Sequence, residues 1–142
     1  MTSAFTCTHA VEGDVSAEAI WALYEDATTW PLWDAEAKWV TRDGPFEAGT
    51  TGAMKFRGQE PLCYRLAAVE RGREFVDETP VGALLVRVSH RLEPLASGRL
   101  AITYTAEIDG PEEQAKEIGP LITADFPDTI ASLVALAKER SR

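Results

Sequence analysis

Apolar residues recur along this chain with two different periods, and each change of period marks a change of element. Between residues 4 and 15 apolar and polar positions alternate, which is typical of a half-buried strand. Ser16 then predicts a helix N-cap, and Glu18 lies in the first turn, where the helix dipole favours an anion. Apolar side chains at helical spacing extend this helix over 17–26, and residues 28–31 indicate a second, short helical turn.

From residue 36 to residue 109 the apolar pattern has a period of two. It predicts six strands, at about 36–43, 50–57, 61–70, 73–80, 83–93 and 98–109. Glycine and proline occupy the breaks between these strands, so each connection is short. Short connections favour an antiparallel meander, in which each strand pairs with the next.

The last two of these strands can be given a register, because opposed residues must point to the same face. A three-residue loop at 95–97, closed by Gly98 in a bulge conformation, satisfies that condition. The register that results opposes Val88 with Tyr104, His90 with Ile102, and Glu93 with Arg99.

The C-terminal segment, 111–142, is predicted to be a long helix with one apolar stripe. Gly119-Pro120 and Pro127 interrupt the pattern, and each proline removes a backbone hydrogen bond, so kinks or a break are expected there. A helix with a single apolar stripe needs a sheet to lie on. The element order therefore predicts an α+β fold in which a seven-stranded antiparallel sheet curls around this helix.

Size and charge narrow the function classes. The chain has 142 residues, 45% of them hydrophobic, which is enough for one domain with a real core. Lysine and arginine number 14 against 23 aspartate and glutamate residues, a net charge of −9. Such a surface repels phosphate backbones and anionic lipid heads, so nucleic acid and membrane surfaces are poor partner candidates.

Targeting and redox signals point to the cytoplasm. The first fourteen residues lack the basic start and apolar stretch of a signal peptide, and no apolar run of membrane-spanning length is expected. Cys7 and Cys63 are too few for a disulfide scaffold, which is compatible with reduced thiols in a cytoplasmic protein. A monomer or a homodimer is expected.

Four stretches of sequence carry a resemblance to a known superfamily. They are VSAEAIWALYEDATTWPLWD, DGPFEAGTTGAMKF, SHRLEPLASGRLAITYTAEIDGP and DFPDTIASLVALAKE. With this element order, the chain resembles the helix-grip superfamily of START lipid-transfer domains, birch-pollen-allergen-like proteins and SRPBCC proteins, above all its polyketide cyclase/dehydrase-like branch. The resemblance spans nearly the whole chain and implies a single helix-grip domain over 1–142, of order β-α-α-β6-α. Members range from ring-closing enzymes to lipid carriers, so the resemblance implies a fold more than a chemistry.

The resemblance also implies a cavity between the concave face of the sheet and the long helix. Residues whose parity places them on that face are Phe5, Cys7, His9, Met54, Phe56, Val86, Val88, His90, Ile102 and Tyr104, with Ile118, Ile122 and Phe126 from the helix. The predicted ligand-binding set is Trp30, Trp33, Met54, Phe56, Val88, His90, Ile102, Tyr104, Ile122 and Phe126. The inner face of strands 36–43 and 61–70 stays open, since Trp39 competes with Val40, and a bulge could switch faces midway along 61–70.

Both histidines fall on the inner parity. His9 and His90 would lie two strands apart, roughly 9.5–10 Å across the sheet if they are level, near enough to flank one ligand. His90 with Tyr104, and then His9, are the candidate catalytic acid–base groups, although a satisfied core residue is the commoner role for side chains of this kind. Asp125, near the expected kink, is a weaker inward candidate.

Other chemistries find little support. The histidine spacing predicts no metal site, no phosphate-binding glycine loop occurs, and no cofactor is expected. Arg57, Arg65 and Arg87 have outward parity, so the inner face is expected to hold few charges.

Three functions compete at this point. The first is binding of a small hydrophobic ligand, aromatic or polyketide- or lipid-like and neutral or weakly polar. The second is a polyketide aromatase/cyclase or dehydratase, and the third is a non-catalytic protein that acts through a partner surface.

Overall fold

The computed structural model describes residues 3–141, and its elements follow the predicted order. The strands are β1 (Phe5–Gly13), β2 (Ala37–Arg42), β3 (Thr51–Phe56), β4 (Leu62–Glu70), β5 (Glu74–Val81), β6 (Leu84–Pro94) and β7 (Leu100–Asp109). The helices are α1 (Ala17–Glu25), α2 (Trp30–Trp33, after a 3-10 turn at Ala27–Thr29), α3 (Glu112–Thr123) and α4 (Phe126–Arg140). The Ser16 side chain accepts a hydrogen bond from the Ala19 amide, which confirms the predicted N-cap of α1.

The seven strands form one antiparallel sheet in the order β1-β7-β6-β5-β4-β3-β2. Every sequential pair from β2 to β7 is adjacent, and β1 joins the sheet beside β7. The sheet curves around the C-terminal helices, which confirms the α+β helix-grip fold. On its concave side α4 buries Phe126, Ile130 and Leu133 in the main core.

The C-terminal helix is divided at residues 124–125, just before Pro127, and not at Gly119-Pro120. Helix α3 continues through Gly119 and the exposed Pro120, and it ends at Thr123, whose hydroxyl donates to the Gly119 carbonyl at 3.1 Å. Two residues in a turn then separate α3 from α4. Pro127 lies in the first turn of α4, where a missing amide proton leaves no helical hydrogen bond unmade.

Gly119 lets α3 approach β1 closely. A Cβ built on Gly119 would lie 2.5 Å from ring atoms of Phe5. Gly119→Ala is therefore expected to destabilise the wild-type protein by about 1–2 kcal/mol through overpacking. In a Phe5→Ala background the clash is gone, and the higher helix propensity of alanine is expected to stabilise the protein by up to about 1 kcal/mol. Urea denaturation of the four proteins measures both values, and the same sign in both backgrounds would contradict this contact.

The predicted register of the last hairpin was wrong by two residues, although the parity was right. His90 lies opposite Tyr104, and Leu92 lies opposite Ile102. The three-residue loop lies one residue further along the chain, at 96–98, because the Leu95 amide donates to the Arg99 carbonyl and the Gly98 amide donates to the Leu95 carbonyl. Arg99 therefore follows the loop directly and approaches Glu12 on β1, while Ala101 lies opposite Glu93.

The two strand faces left open by the sequence are now assigned. On β2, Val40 faces the core while Trp39 is 41% exposed. On β4, Tyr64 and Leu66 face inward, and a register shift between Leu66 and Ala68 then moves the inward face to odd positions. The switch of faces midway along this strand is the bulge that the sequence analysis considered for 61–70.

One apolar window was not expected from the sequence. Within 112–140, an 18-residue stretch with a mean hydropathy of 1.2 is long and apolar enough to cross a membrane, judged by length and composition alone. In the structure this stretch belongs to α3 and α4, whose apolar side chains pack against the sheet. In this fold the apolar stripe therefore forms part of the core.

Candidate functional site

A cavity of about 660 Å³ lies between the concave face of the sheet, α2 and the C-terminal helices. Its apolar walls are formed by Trp30, Trp33, Ala37, Val40, Met54, Phe56, Leu62, Val81, Val86, Val88, Ile118, Leu121, Ile122 and Phe126. Arg57 and Leu121 line it while exposed to solvent, so its opening lies between the end of β3 and the end of α3.

The structure brings nine members of the predicted ligand-binding set to this cavity. They are Trp30, Trp33, Met54, Phe56, Val88, His90, Tyr104, Ile122 and Phe126. Ile102 does not reach the cavity, because its side chain is fully buried in the core. Of the three residues considered for catalysis, His90 and Tyr104 line the cavity and His9 does not.

The two histidines are level across the sheet, with Tyr104 between them. His9 on β1 and His90 on β6 are both register partners of Tyr104 on β7. Only the His90 side of this row opens into the cavity, so the two imidazoles do not flank a common space.

His90 is held tightly by aromatic neighbours. Its ring stacks on Phe75 with centroids 4.0 Å apart and an interplanar angle of 6°, and Tyr104 meets it edge-on at 4.6 Å. Nδ1 lies 3.3 Å from the Phe75 carbonyl oxygen, which can only accept, so Nδ1 carries the proton and Nε2 keeps a lone pair. Burial lowers the pKa of His90 to about 3, and the ring is therefore neutral at neutral pH.

Asp77 is a site residue that the sequence analysis did not identify. It is 8% exposed, lines the cavity, and places Oδ2 3.7 Å from Nε2 of His90. Within residues 3–141 its carboxyl group has no hydrogen-bond donor. Burial, with a smaller contribution from Glu78, raises the pKa of Asp77 to about 7.

The hydroxyl groups of Thr79 and Tyr104 also line the cavity, near Asp77 and His90. Thr79, two residues beyond Asp77 on the same face of β5, is 3% exposed, and its Oγ1 has no hydrogen-bond partner among the described residues. The Tyr24 hydroxyl donates to the Tyr104 hydroxyl at 3.3 Å. Burial raises the pKa of Tyr104 well above its ordinary value, so this phenol stays protonated.

Two further carboxyl groups line the cavity where α2 ends and α4 begins. Asp34 follows α2, and burial together with the nearby charge of Asp125 raises the pKa of Asp34 to about 6. Asp125 precedes α4 but makes no side-chain cap, and its side chain lines the cavity instead. Burial raises the pKa of Asp125 as well.

Basic side chains are scarce around the cavity. Among its described lining residues, Arg57 is the one cation, and it is exposed at the opening. Arg65 and Arg87 point outward, where both pair with Glu78 at 3.0 and 2.8 Å. The expectation of an inner face with few charges was therefore wrong for the acids.

Most of the chain matches a known protein family. A family described as polyketide cyclase/dehydrase and lipid transport matches residues 4–138. The chain belongs to this family. A comparison with curated proteins found no match.

Several solved structures share the fold of this family member at low sequence identity. Norcoclaurine synthase from Thalictrum flavum, solved with dopamine and hydroxybenzaldehyde, is 19% identical, with a TM-score of 0.76 over 95% of this chain and 87% of that one. The Zhui aromatase/cyclase from Streptomyces sp. R1128 is 11% identical, with a TM-score of 0.81 over 97% and 96%. A hypothetical protein from Helicobacter pylori, 14% identical, has a TM-score of 0.80 over 95% and 89%.

A turn signal in the sequence could have revealed Asp77. Gly82 and Ala83 form a two-residue connection, with Val81 opposite Leu84. That turn pairs odd positions of β5 with even positions of β6, so Asp77 shares the face of His90. No comparable signal exists for Asp34, whose position depends on how α2 packs.

Groups of three or more potential metal ligands do not occur within residues 3–141.

Proposed function

We propose that this protein binds a small hydrophobic ligand, aromatic or polyketide- or lipid-like, in the cavity between the sheet and the C-terminal helices. The observation that carries the proposal is the cavity itself, about 660 Å³ of space inside a core that is otherwise packed. Ligand pockets of small molecules are of this size, with mostly apolar walls and a few polar groups that fix orientation.

The walls favour a flat, aromatic guest. Trp30 and Trp33 lie at one end with ring centroids 5.6 Å apart, and Phe126 and Tyr104 meet edge-on at 5.5 Å. Rings so arranged offer both faces and edges to a planar ligand, and such contacts contribute beyond the buried area alone.

A neutral fluorescent probe tests this proposal. N-phenyl-1-naphthylamine is expected to bind the folded protein with enhanced emission. Val88→Trp, which fills the cavity, is expected to weaken its affinity at least tenfold because it removes the space that the probe occupies. Val76→Trp on the outer face of β5 is the matched control and is expected to leave affinity unchanged. Absence of binding by folded wild-type protein, or equal loss in both variants, would overturn the proposal.

Proton-transfer catalysis on such a ligand, of the aromatase/cyclase or dehydratase type, is the second candidate function. The observation that favours it is the buried Asp77 carboxyl group, which lines the cavity 3.7 Å from His90 Nε2. Burial raises the pKa of Asp77 to about 7, the range in which a general acid–base group is most effective. His90 and Tyr104 suit that role less, since burial moves their pKa values away from neutral pH in opposite directions. Turnover of a poly-β-ketone mimic, lost in Asp77→Asn, distinguishes a catalyst from a carrier.

The compartment and assembly are part of the same proposal. Cys7 and Cys63 are both free thiols, which accords with a reducing cytoplasm. We place the protein there as a single-domain monomer or homodimer.

A further inference from the structure

The electrostatic character of the cavity is one-sided. Asp34, Asp77 and Asp125 line it at half-buried or buried positions, while the one lining cation within the described residues is exposed at the opening. A ligand that enters therefore meets carboxyl groups and no buried positive charge. Desolvated carboxylates with no counter-ion are unfavourable, so the protein alone leaves this charge uncompensated.

Within the cavity, Asp77 and Thr79 form a polar subsite on one face of β5. Both line the cavity, Thr79 at 3% and Asp77 at 8% exposure, and Thr79 Oγ1 has no hydrogen-bond partner among residues 3–141. The Asp77 carboxylate faces His90 Nε2 at 3.7 Å, which is beyond hydrogen-bond distance. Buried polar groups are nearly always hydrogen-bonded, so two unsatisfied neighbours on one strand face indicate a missing partner. The open space beside them is where a ligand group can supply it.

We infer that the ligand carries an amine on its hydrophobic body, and that its ammonium group binds against Asp77 and Thr79. This inference rests on the proposed function, because it names the chemical class of the guest of that cavity.

The hydrogen-bonding groups at the subsite match an ammonium. Asp77 offers carboxylate oxygens, Thr79 offers Oγ1, and His90 offers the lone pair on Nε2, 3.7 Å from the Asp77 carboxylate. These are three acceptors for the three N–H donors of a primary ammonium. The rings of Tyr104 and Trp30 on the walls add faces toward which a cation is attracted.

Other polar groups match less well. A carboxylate ligand would face like charges with no buried cation to receive it. A hydroxyl group would satisfy hydrogen bonds but leave the carboxylates uncompensated. An ammonium does both, and an opposite charge within about 4–6 Å also favours the ionised form of a carboxyl whose pKa burial has raised.

Four naphthalene probes that differ in one group test this inference. They are 2-(naphthalen-2-yl)ethylamine, 2-ethylnaphthalene, 2-(naphthalen-2-yl)ethanol and 3-(naphthalen-2-yl)propanoic acid, titrated by fluorescence at pH 7.5. The amine is expected to bind at least tenfold tighter than the hydrocarbon and the alcohol, and the acid is expected to bind most weakly.

Variants assign the preference to the subsite. Asp77→Asn is expected to abolish the preference for the amine while the hydrocarbon binds as before, and Thr79→Val is expected to reduce it in part. Asp43→Asn, an exposed aspartate that does not line the cavity, is the matched control and should behave as wild type. Near-UV circular dichroism establishes that each variant is folded.

The outcomes separate the two proposals. If the hydrocarbon or the alcohol binds as tightly as the amine, or the acid binds best, the inference is overturned while ligand binding stands. The same holds if Asp77→Asn and Thr79→Val both keep the preference. If none of the four probes binds folded protein, the proposed function itself fails.

Discussion

Gly52→Ala is expected to lower the free energy of unfolding by about 3 kcal/mol or more. A Cβ at this position would overlap the Thr41 carbonyl oxygen and lie 2.5 Å from the Tyr64 hydroxyl oxygen. The Tyr64 ring lies across Gly52, and its hydroxyl donates to that same carbonyl at 2.8 Å. Glycine is thus the residue that lets a buried tyrosine tie β4 to β2 across the strand between them.

The penalty is large because nothing nearby can move cheaply. The carbonyl belongs to the backbone of β2, which pairs with β3 at this point, and Tyr64 is only 2% exposed. The added methyl group must therefore separate β2 from β3 or expel the tyrosine and break its hydrogen bond. Because Val40 on β2 lines the cavity, we expect ligand affinity to fall as well.

Gly44→Ala provides the control for this substitution. A Cβ there would meet only Thr50, at 3.6 Å or more, and Gly44 has no positive φ. Its unfolding free energy is expected to stay within about 0.5 kcal/mol of wild type. Urea denaturation of both variants measures the difference, and equal stabilities would refute the role assigned to Gly52.

Asp77 and His90 are expected to have opposite effects on stability as the pH changes, and in the wild type these effects cancel. The folded-state pKa of His90 is depressed from 6.5 to about 3, so its contribution to stability is lost as the pH falls below 6.5. The folded-state pKa of Asp77 is raised from 3.8 to about 7, so its contribution is lost as the pH rises from about 4 to 7. Between about pH 4 and 6.5 the folded protein holds one proton on Asp77, and the unfolded chain holds one proton on His90. Because both states bind the same number of protons, the pair contributes no pH dependence to the free energy of unfolding in this range.

Substituting one member of the pair is expected to reveal the pH dependence of stability that the other member contributes. In Asp77→Asn the stability should rise with pH between about 4 and 6.5, by up to about 1.4 kcal/mol per pH unit relative to wild type. In His90→Gln it should fall with pH over the same range. Asp34 and Asp125, which also have raised pKa values, are present in all three proteins and drop out of the comparison.

Denaturation at half-unit pH steps measures these slopes. Asp43→Asn, at an exposed position that does not line the cavity, serves as the control, and its profile is expected to match that of the wild type. If all four profiles are parallel, the buried pair does not titrate as described.

Much of the fold could be predicted from the sequence because each helix or strand has a recognisable pattern among neighbouring residues. The period of two marked all seven strands, Ser16 marked the start of α1, and parity placed Val88, His90 and Tyr104 on one face. These signals depend on backbone geometry and on which side of an element is apolar, and both can be read from neighbouring residues.

Other features of the site depend on long-range geometry. The register of β6 against β7 differs by two residues from the prediction because the three-residue loop lies at 96–98 rather than at 95–97, and both positions keep the same parity. Asp34 and Asp125 come together only when the ends of α2 and α4 meet, and no local pattern reports that meeting.

The element order, the antiparallel sheet and the inward parity of His90 and Tyr104 could be read from the amino-acid sequence, because hydrophobic periodicity and turn residues act locally. The folded structure was needed to show that three aspartates enter the cavity, that His9 stays outside it and that Ile102 belongs to the core. These features depend on the curvature of the sheet and on the placement of the helices, which together bound the cavity. A side chain with inward parity can therefore face either packed core or open space.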